Sequence, residues 1–168
     1  MLSRMPGGLN AAEEGVAMYS KILVAVDGSA TSLRGLDEAI KVAKGSRGRL
    51  LLVHVVNELV MTPEYVPSAY YESIFQSLRE SGTKLLEHAA AMARRADLSC
   101  EQKLVETVGA RVADEIVKQA KEWSADLIVM GTHGRRGLKR LALGSDAELV
   151  LRLSSVPLLL VRDGAEGP

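Results

Sequence analysis

Residues 125–162, "ADLIVMGTHGRRGLKRLALGSDAELVLRLSSVPLLLVR", pass through three kinds of local pattern in succession. Leu127 to Met130 is an unbroken apolar run that stops at Gly131, as expected of a strand buried on both faces. Glycines follow at 134, 137 and 144. "SDAELVLRL" then spaces its apolar residues as a helix does, and "VPLLLVR" (156–162) is a second buried run. Strand, glycine-rich loop, helix and strand form a crossover unit, so the two strands run parallel and the helix covers one face of their sheet.

The same alternation extends toward the N-terminus. "SKILVAV" (20–26) and "RLLLVHVV" (49–56) repeat the buried-strand pattern, and "LSCEQKLVE" (98–106) is a weaker strand. Between the first two lies a helix with Leu33, Leu36, Ile40 and Ala43 at helical spacing, capped by Ser29 or Thr31 and ended by Gly45 and Gly48. A loop with two prolines and Tyr65, Tyr70 and Tyr71 leads to a long helix, 70–96, whose face is Ile74, Leu78, Leu85, Ala89, Met92 and Ala96. That loop reads either as a cover for a ligand or as surface packing. Gly109 precedes a further helix with Val112, Ile116, Ala120 and Trp123 at helical spacing. The expected fold is α/β, a doubly wound five-stranded parallel sheet with helices on both faces.

Composition bounds the partners. At 168 residues the chain fits one domain, and 47% hydrophobic with 25% charged residues is globular composition. Lys+Arg and Asp+Glu each total 21, so no net field draws the chain to nucleic acid or to an anionic membrane. A single cysteine, Cys100, cannot form an intramolecular disulfide, which fits a reducing, cytoplasmic setting. Residues 1–17 lack an apolar signal-type core and read as a disordered extension; 18–163 is the expected domain and 164–168 a tail.

Ligands of open parallel sheets bind beyond the carboxyl ends of the strands, where strand order reverses. Asp27 in "VAVDGS" follows the first strand, and the glycine loop follows the fourth. The Asp27 carboxylate reads either as an acceptor for a ribose diol or as a turn and cap residue before the first helix. The loop reads either as a phosphate cradle, with backbone N–H groups and a helix N-terminus, or as an ordinary surface loop. Ser145 could cap the helix or donate to phosphate. Neither G-x-x-x-x-G-K-[ST] nor G-x-G-x-x-G after the first strand is present. His54 reads as a hydrogen-bonded core histidine, His133 as a loop-packing or phosphate-edge residue, and His88 as a surface residue. Arg135, Arg136, Lys139 and Arg140 either steer an anion or form a solvated face. No acidic cluster suggests a protein-built metal site.

The spacing that is present is G-x2-G-x9-G-S, at Gly131, Gly134, Gly144 and Ser145. With "ILVAVDGS", "LLLVHVV" and "VPLLLVR", it resembles the universal stress protein family in its ATP-binding branch, over Tyr19 to Arg162. The resemblance implies a Rossmann-like sheet of the adenine nucleotide alpha hydrolase type that binds and senses ATP in the stress response. It implies that Asp27 holds the ribose, that the backbone near Ala25 and of Val55 faces adenine, and that Gly131, Gly134, Gly144 and Ser145 cradle phosphates. Met130, Thr132 and Arg135 would line the same pocket, with any Mg²⁺ carried by the phosphates and touched by Ser145. Asp146 beside Ser145 would repel a phosphate if it faced the pocket, which keeps AMP and cyclic AMP open as ligands. The family also implies a homodimer through Leu158 to Val161, which proline at Leu159 should disrupt. The alternative activity is slow ATP hydrolysis, for which no Gln, Glu or Asp stands in an evident role.

Overall fold

The computed structural model describes residues 18–57, 68–134 and 143–162. In chain order its elements are β1 (Lys21–Ala25), α1 (Ala30–Ser46), β2 (Arg49–Asn57), α2 (Ser68–Arg95), β3 (Cys100–Thr107), α3 (Val112–Trp123), β4 (Leu127–Gly131), α4 (Ser145–Leu153) and β5 (Leu158–Val161). The strands form one parallel sheet in the order β3-β2-β1-β4-β5. The chain winds outward from β1 to β3, then returns to place β4 on the other side of β1. Strand order therefore reverses between β1 and β4.

Side chains of the inner strands alternate between two apolar layers, as the two-residue period of a strand requires. Ile22, Val24, Leu50, Leu52, Leu127 and Val129 pack with α1 and α2. Leu23, Leu51, Val53, Ile128 and Met130 pack with α3 and α4. Ile22, Leu23 and Val24 are all 0% exposed, which explains why the first strand reads as a continuous rather than alternating apolar run. Fully burying one such side chain contributes about 1.5–3 kcal/mol.

Three local expectations change. Helix α1 runs through Gly45 to Ser46, and Arg47, not a glycine, takes the left-handed position at φ 53°. The N–H groups of Arg47 and Gly48 both donate to Ala43 O, so backbone bonds close the last turn without a glycine at the left-handed position. On α2 the buried stripe is Phe75, Gly82, Leu86, Ala89, Ala90 and Ala93; Ala89 of the expected face lies in it, and the rest of the stripe is displaced by about one position. Small residues let the helix lie close to the sheet, while Ile74, Leu78, Leu85 and Met92 straddle the contact half-buried. Because α2 begins at Ser68, Tyr70 and Tyr71 belong to its first turn and not to a loop; Tyr65 lies outside the described residues.

At the end of the sheet opposite the β1 and β4 carboxyl ends, Asp126 accepts hydrogen bonds from Ser20 N (2.8 Å), Ser20 Oγ (2.8 Å) and Lys21 N (3.0 Å). This fastens the start of β4 to the start of β1. At the outer edge, Pro157 O accepts from Ile128 N and Val161 O accepts from Thr132 N. Odd-numbered peptide groups of β5 thus face β4, and those of Leu158 and Leu160 face outward. Proline at Leu159 would break the ladder to β4 and not an outer pairing.

Candidate functional site

The carboxyl ends of β1 and β4 flank the crevice that the strand-order reversal opens, and both expected features sit there. Asp27 Oδ1 accepts from Ser29 N (2.9 Å) and Ser29 Oγ (2.6 Å), across Gly28 at φ +82°. Ser29 in turn caps α1 by accepting from Ser32 N. The turn reading of Asp27 therefore holds for one carboxylate oxygen. The other oxygen faces the glycine loop: a Cβ built on Gly134 would lie 2.7 Å from Asp27 Oδ2. Residues 107 positions apart in sequence meet at this point.

The three glycines of the motif do different things. Gly131 is buried, and a Cβ there would meet Thr31 Oγ1 at 2.7 Å and Ser32 N at 2.9 Å. It lets the end of β4 lie against the first turn of α1. Gly144 donates its N–H to Thr132 O at 2.8 Å, and its Cβ would stand 3.1 Å from the same oxygen. Only Gly134 is exposed and faces the carboxylate.

Hydroxyls of α1 complete the frame. Thr31 Oγ1, on a residue only 6% exposed, donates to His133 O and ties the loop to the helix. Thr132 is also buried, held through its N–H to Val161 O and through its Oγ1 to His133 Nδ1 at 3.0 Å. The His133 Nε2 atom is buried and has no hydrogen-bond partner among the described residues. At the far end of the loop α4 begins. Its N-cap is Gly144 and no side chain caps it, so Ser145 is the first helical residue and not the cap. Ser145 is exposed, and Asp146 and Glu148 share its first turn. Backbone donors of an uncapped first turn point out of the helix and favour an anion.

Ala25, Val55 and Met130 lie on the α3/α4 side of the sheet near its carboxyl edge. Ala25 and Val55 are half-buried and Met130 is 7% exposed. Val26 N donates to Val53 O at 2.9 Å, the last bond of the β1–β2 ladder on that side. The peptide of Val55, two residues on, points the same way past the point where β1 has ended. The structure thus brings Ala25, Asp27, Val55, Met130, Gly131, Thr132 and Gly134 to one edge, with Gly144 bonded to Thr132 and Ser145 next to it. Arg135, with Arg136, Gly137, Lys139 and Arg140, lies outside the described residues.

The profile of the universal stress protein family matches residues 18–162. The chain belongs to the universal stress protein family. It is 36% identical to universal stress protein YxiE of Bacillus subtilis over 151 residues, covering 86% of this chain and all of that one. Its structure is similar to that of MJ0577 of Methanocaldococcus jannaschii, with TM-score 0.76, 26% identity, and coverage of 89% of this chain and 99% of the other. It is also similar to a universal stress protein in complex with cAMP, with TM-score 0.62, 28% identity, and coverage of 86% and 97%.

In this universal stress protein the chemistry on offer is recognition. The site edge supplies a carboxylate held in one orientation, backbone donors at a helix N-terminus and a half-buried apolar strip. Among the described residues no group of three His, Cys, Asp or Glu side chains could hold a metal ion, and no helix is long and apolar enough to cross a membrane. The residues hardest to assign from sequence are the α1 hydroxyls. "DGSATS" carries them at 29, 31 and 32, but serines and threonines at a helix start read as caps. The contact of Ser29 and Thr31 with His133 O depends on β4 lying beside β1. His88 is exposed on α2, and Cys100 is half-buried with its Sγ 3.9 Å from Ala90 O.

Proposed function

We propose that this universal stress protein is an adenine-nucleotide-binding and sensing module of the ATP-binding branch, built from residues 18–163 and working in the reducing cytoplasm. The observation that carries the reading is the approach of Gly134 to Asp27, which leaves room for no side chain between the loop and the carboxylate. Asp27 Oδ2 accepts a ribose hydroxyl; a carboxylate oxygen has two lone pairs and can serve more than one donor. Ala25, Val55 and Met130 form the apolar strip under adenine. Gly134 and Gly144 let the backbone approach the phosphates, the first turn of α4 supplies N–H donors, and Ser145 Oγ, free of a capping role, donates alongside them. Thr132 and Arg135 line the same cradle, and Mg²⁺ enters with the phosphates, not on a protein-built cage.

ATP is the leading ligand because the full G-x2-G-x9-G-S spacing accommodates several phosphates. Cyclic AMP is the second reading, favoured by the related cAMP complex and by the acidic first turn of α4, which opposes a high phosphate charge. The module acts as a homodimer through β5, an edge strand whose outward Leu158 and Leu160 peptides favour pairing with a second copy. The test is mass spectrometry of copurifying nucleotide followed by calorimetric titration with ATP, AMP and cyclic AMP, beside Gly134→Asp. Saturable binding that the variant loses supports the reading. A folded wild-type protein that binds none of the three rejects it.

A further inference from the structure

Leu52, His54 and Val56 share one face of β2, directed at α1 and α2. Leu52 is 0% and Val56 4% exposed, so an apolar residue would suit position 54 on packing grounds. The His54 ring instead places Nδ1 2.7 Å from Val26 O. A carbonyl only accepts, so Nδ1 carries the proton and donates. Val26 is the first residue beyond β1, it is 2% exposed, and its N–H makes the last bond to β2. His54 thus serves the carbonyl where the strands diverge, on the peptide that joins Val26 to Asp27.

The far side of the ring is fixed as well. A Cβ on Gly82 of α2 would stand 2.7 Å from His54 Cδ2 and 2.7 Å from Leu104 Cδ1. The glycine brings the helix backbone against the imidazole and holds the ring toward Val26. One turn along α2, the Leu85 side chain lies 3.6 Å from the Cβ position of Gly28. Helix α2 therefore backs both neighbours of Asp27, Val26 through His54 and Gly28 through Leu85. Ser29 then holds Oδ1 from the front.

We infer that His54 is a positioning residue of the nucleotide site: by donating to Val26 O, and wedged there by Gly82, it sets the direction in which Asp27 presents Oδ2 to a ribose. This rests on the nucleotide reading above. His54 touches no ligand itself and acts through the peptide preceding the carboxylate.

The test compares His54→Leu, which lacks the donor, with His54→Asn, whose amide nitrogen falls near the position of Nδ1, and His54→Gln, whose amide falls near Nε2. Affinities for ATP and for 2′-deoxy-ATP are measured by calorimetry. Misaligning one charge-assisted hydrogen bond is expected to weaken ATP binding roughly ten- to a hundredfold in His54→Leu and His54→Gln, and to bring the ribo/deoxy affinity ratio toward one. His54→Asn should restore most of both. A merely structural histidine would lower the thermal midpoint but leave that ratio unchanged, and this outcome overturns the inference. So does His54→Leu with wild-type affinity and ratio. The ¹³C shift of the Asp27 carboxylate in ligand-free protein gives a readout independent of binding: it moves in His54→Leu and returns in His54→Asn if His54 positions Asp27, and is unchanged if it does not. Wild-type protein that binds no nucleotide while this shift responds as expected rejects the nucleotide reading and leaves the positioning role standing. If His54→Leu does not fold, the Asn and Gln pair carries the comparison, and equal ratios in those two variants overturn the inference.

Discussion

Adding one methyl group at Gly131 and, separately, at Gly134 should separate the two purposes that glycines serve in this loop. Neither residue has a positive φ, so alanine meets no backbone strain at either place and only contacts decide the outcome. At Gly131 the new Cβ meets Thr31 Oγ1 at 2.7 Å and the backbone atoms Ser32 N and Thr31 C at 2.9 Å. The first turn of a packed helix cannot yield without moving α1 off β4. Overpacking of this kind costs about 1–3 kcal/mol. For a domain of this size that lowers the thermal midpoint by roughly 2–4 °C per kcal/mol, so several degrees are expected. At Gly134 the Cβ meets a side-chain end, Asp27 Oδ2, at 2.7 Å, about 0.7 Å inside the 3.4 Å where ordinary contact begins. A carboxylate can turn and the position is exposed, so stability should fall by about 1 kcal/mol or less. If Asp27 holds ribose as proposed, turning it removes a charge-assisted bond, and ATP affinity should fall roughly tenfold or more. Differential scanning calorimetry and ATP titration of the two variants make the measurement. Gly131→Ala with an unchanged midpoint, or Gly134→Ala with unchanged affinity and a large loss of stability, would refute the division of labour.

Asp27→Asn should keep the turn, because an amide oxygen still accepts from Ser29 N, yet lose most ribonucleotide affinity; titration with ATP beside a denaturant melt checks both. Thr31→Val keeps the shape but removes the bond to His133 O. It should cost about 0.5–1.5 kcal/mol by urea unfolding and also weaken nucleotide binding, since the loop loses its tie to α1. Leu160→Pro removes an outward N–H from the β5 edge and should give monomers that keep the β4–β5 ladder at the cost of the half-buried Leu160 packing, whereas Leu159→Pro should break that ladder itself. Sizing chromatography with light scattering distinguishes them, and an unchanged Leu160→Pro dimer would reject the β5 interface.

β1, β2, β4 and β5 are legible in the sequence because a buried strand shows as a short apolar run rich in Val, Ile and Leu, whereas the edge strand β3, with Glu101, Gln102 and Lys103 exposed, shows only weakly. The order of the strands is less accessible. It places Asp27 beside Gly134, and that contact belongs to topology and not to local pattern. The α2 face is displaced by one residue because alanines and Gly82 let the helix approach closely, whereas apolar periodicity gives most weight to the larger side chains. The spacing of Gly131, Gly134, Gly144 and Ser145 singles out the loop, yet glycine in a sequence does not state what it avoids. For Gly131 that is the helix α1 backbone; for Gly134 it is a carboxylate. Asp27 left two readings open because each carboxylate oxygen has its own surroundings. One holds the turn and the other faces the loop.

The pairing of β4 with β1 also sets when the protein can first work. During synthesis β1, β2 and β3 leave the ribosome well before β4, and the Asp27 turn can form early from local bonds to Ser29. The cradle cannot, because Gly131, Gly134 and Gly144 arrive with and after β4, whose start is fastened to β1 by Asp126 and whose end is tied to α1 by Thr31, each across more than 100 positions of chain. A nascent or truncated chain that stops short of β4 should therefore show no ligand protection at all. On the proposed function, nucleotide would act on the finished sheet alone, drawing the folding equilibrium toward completion and reporting, by being bound, that the last strands have docked.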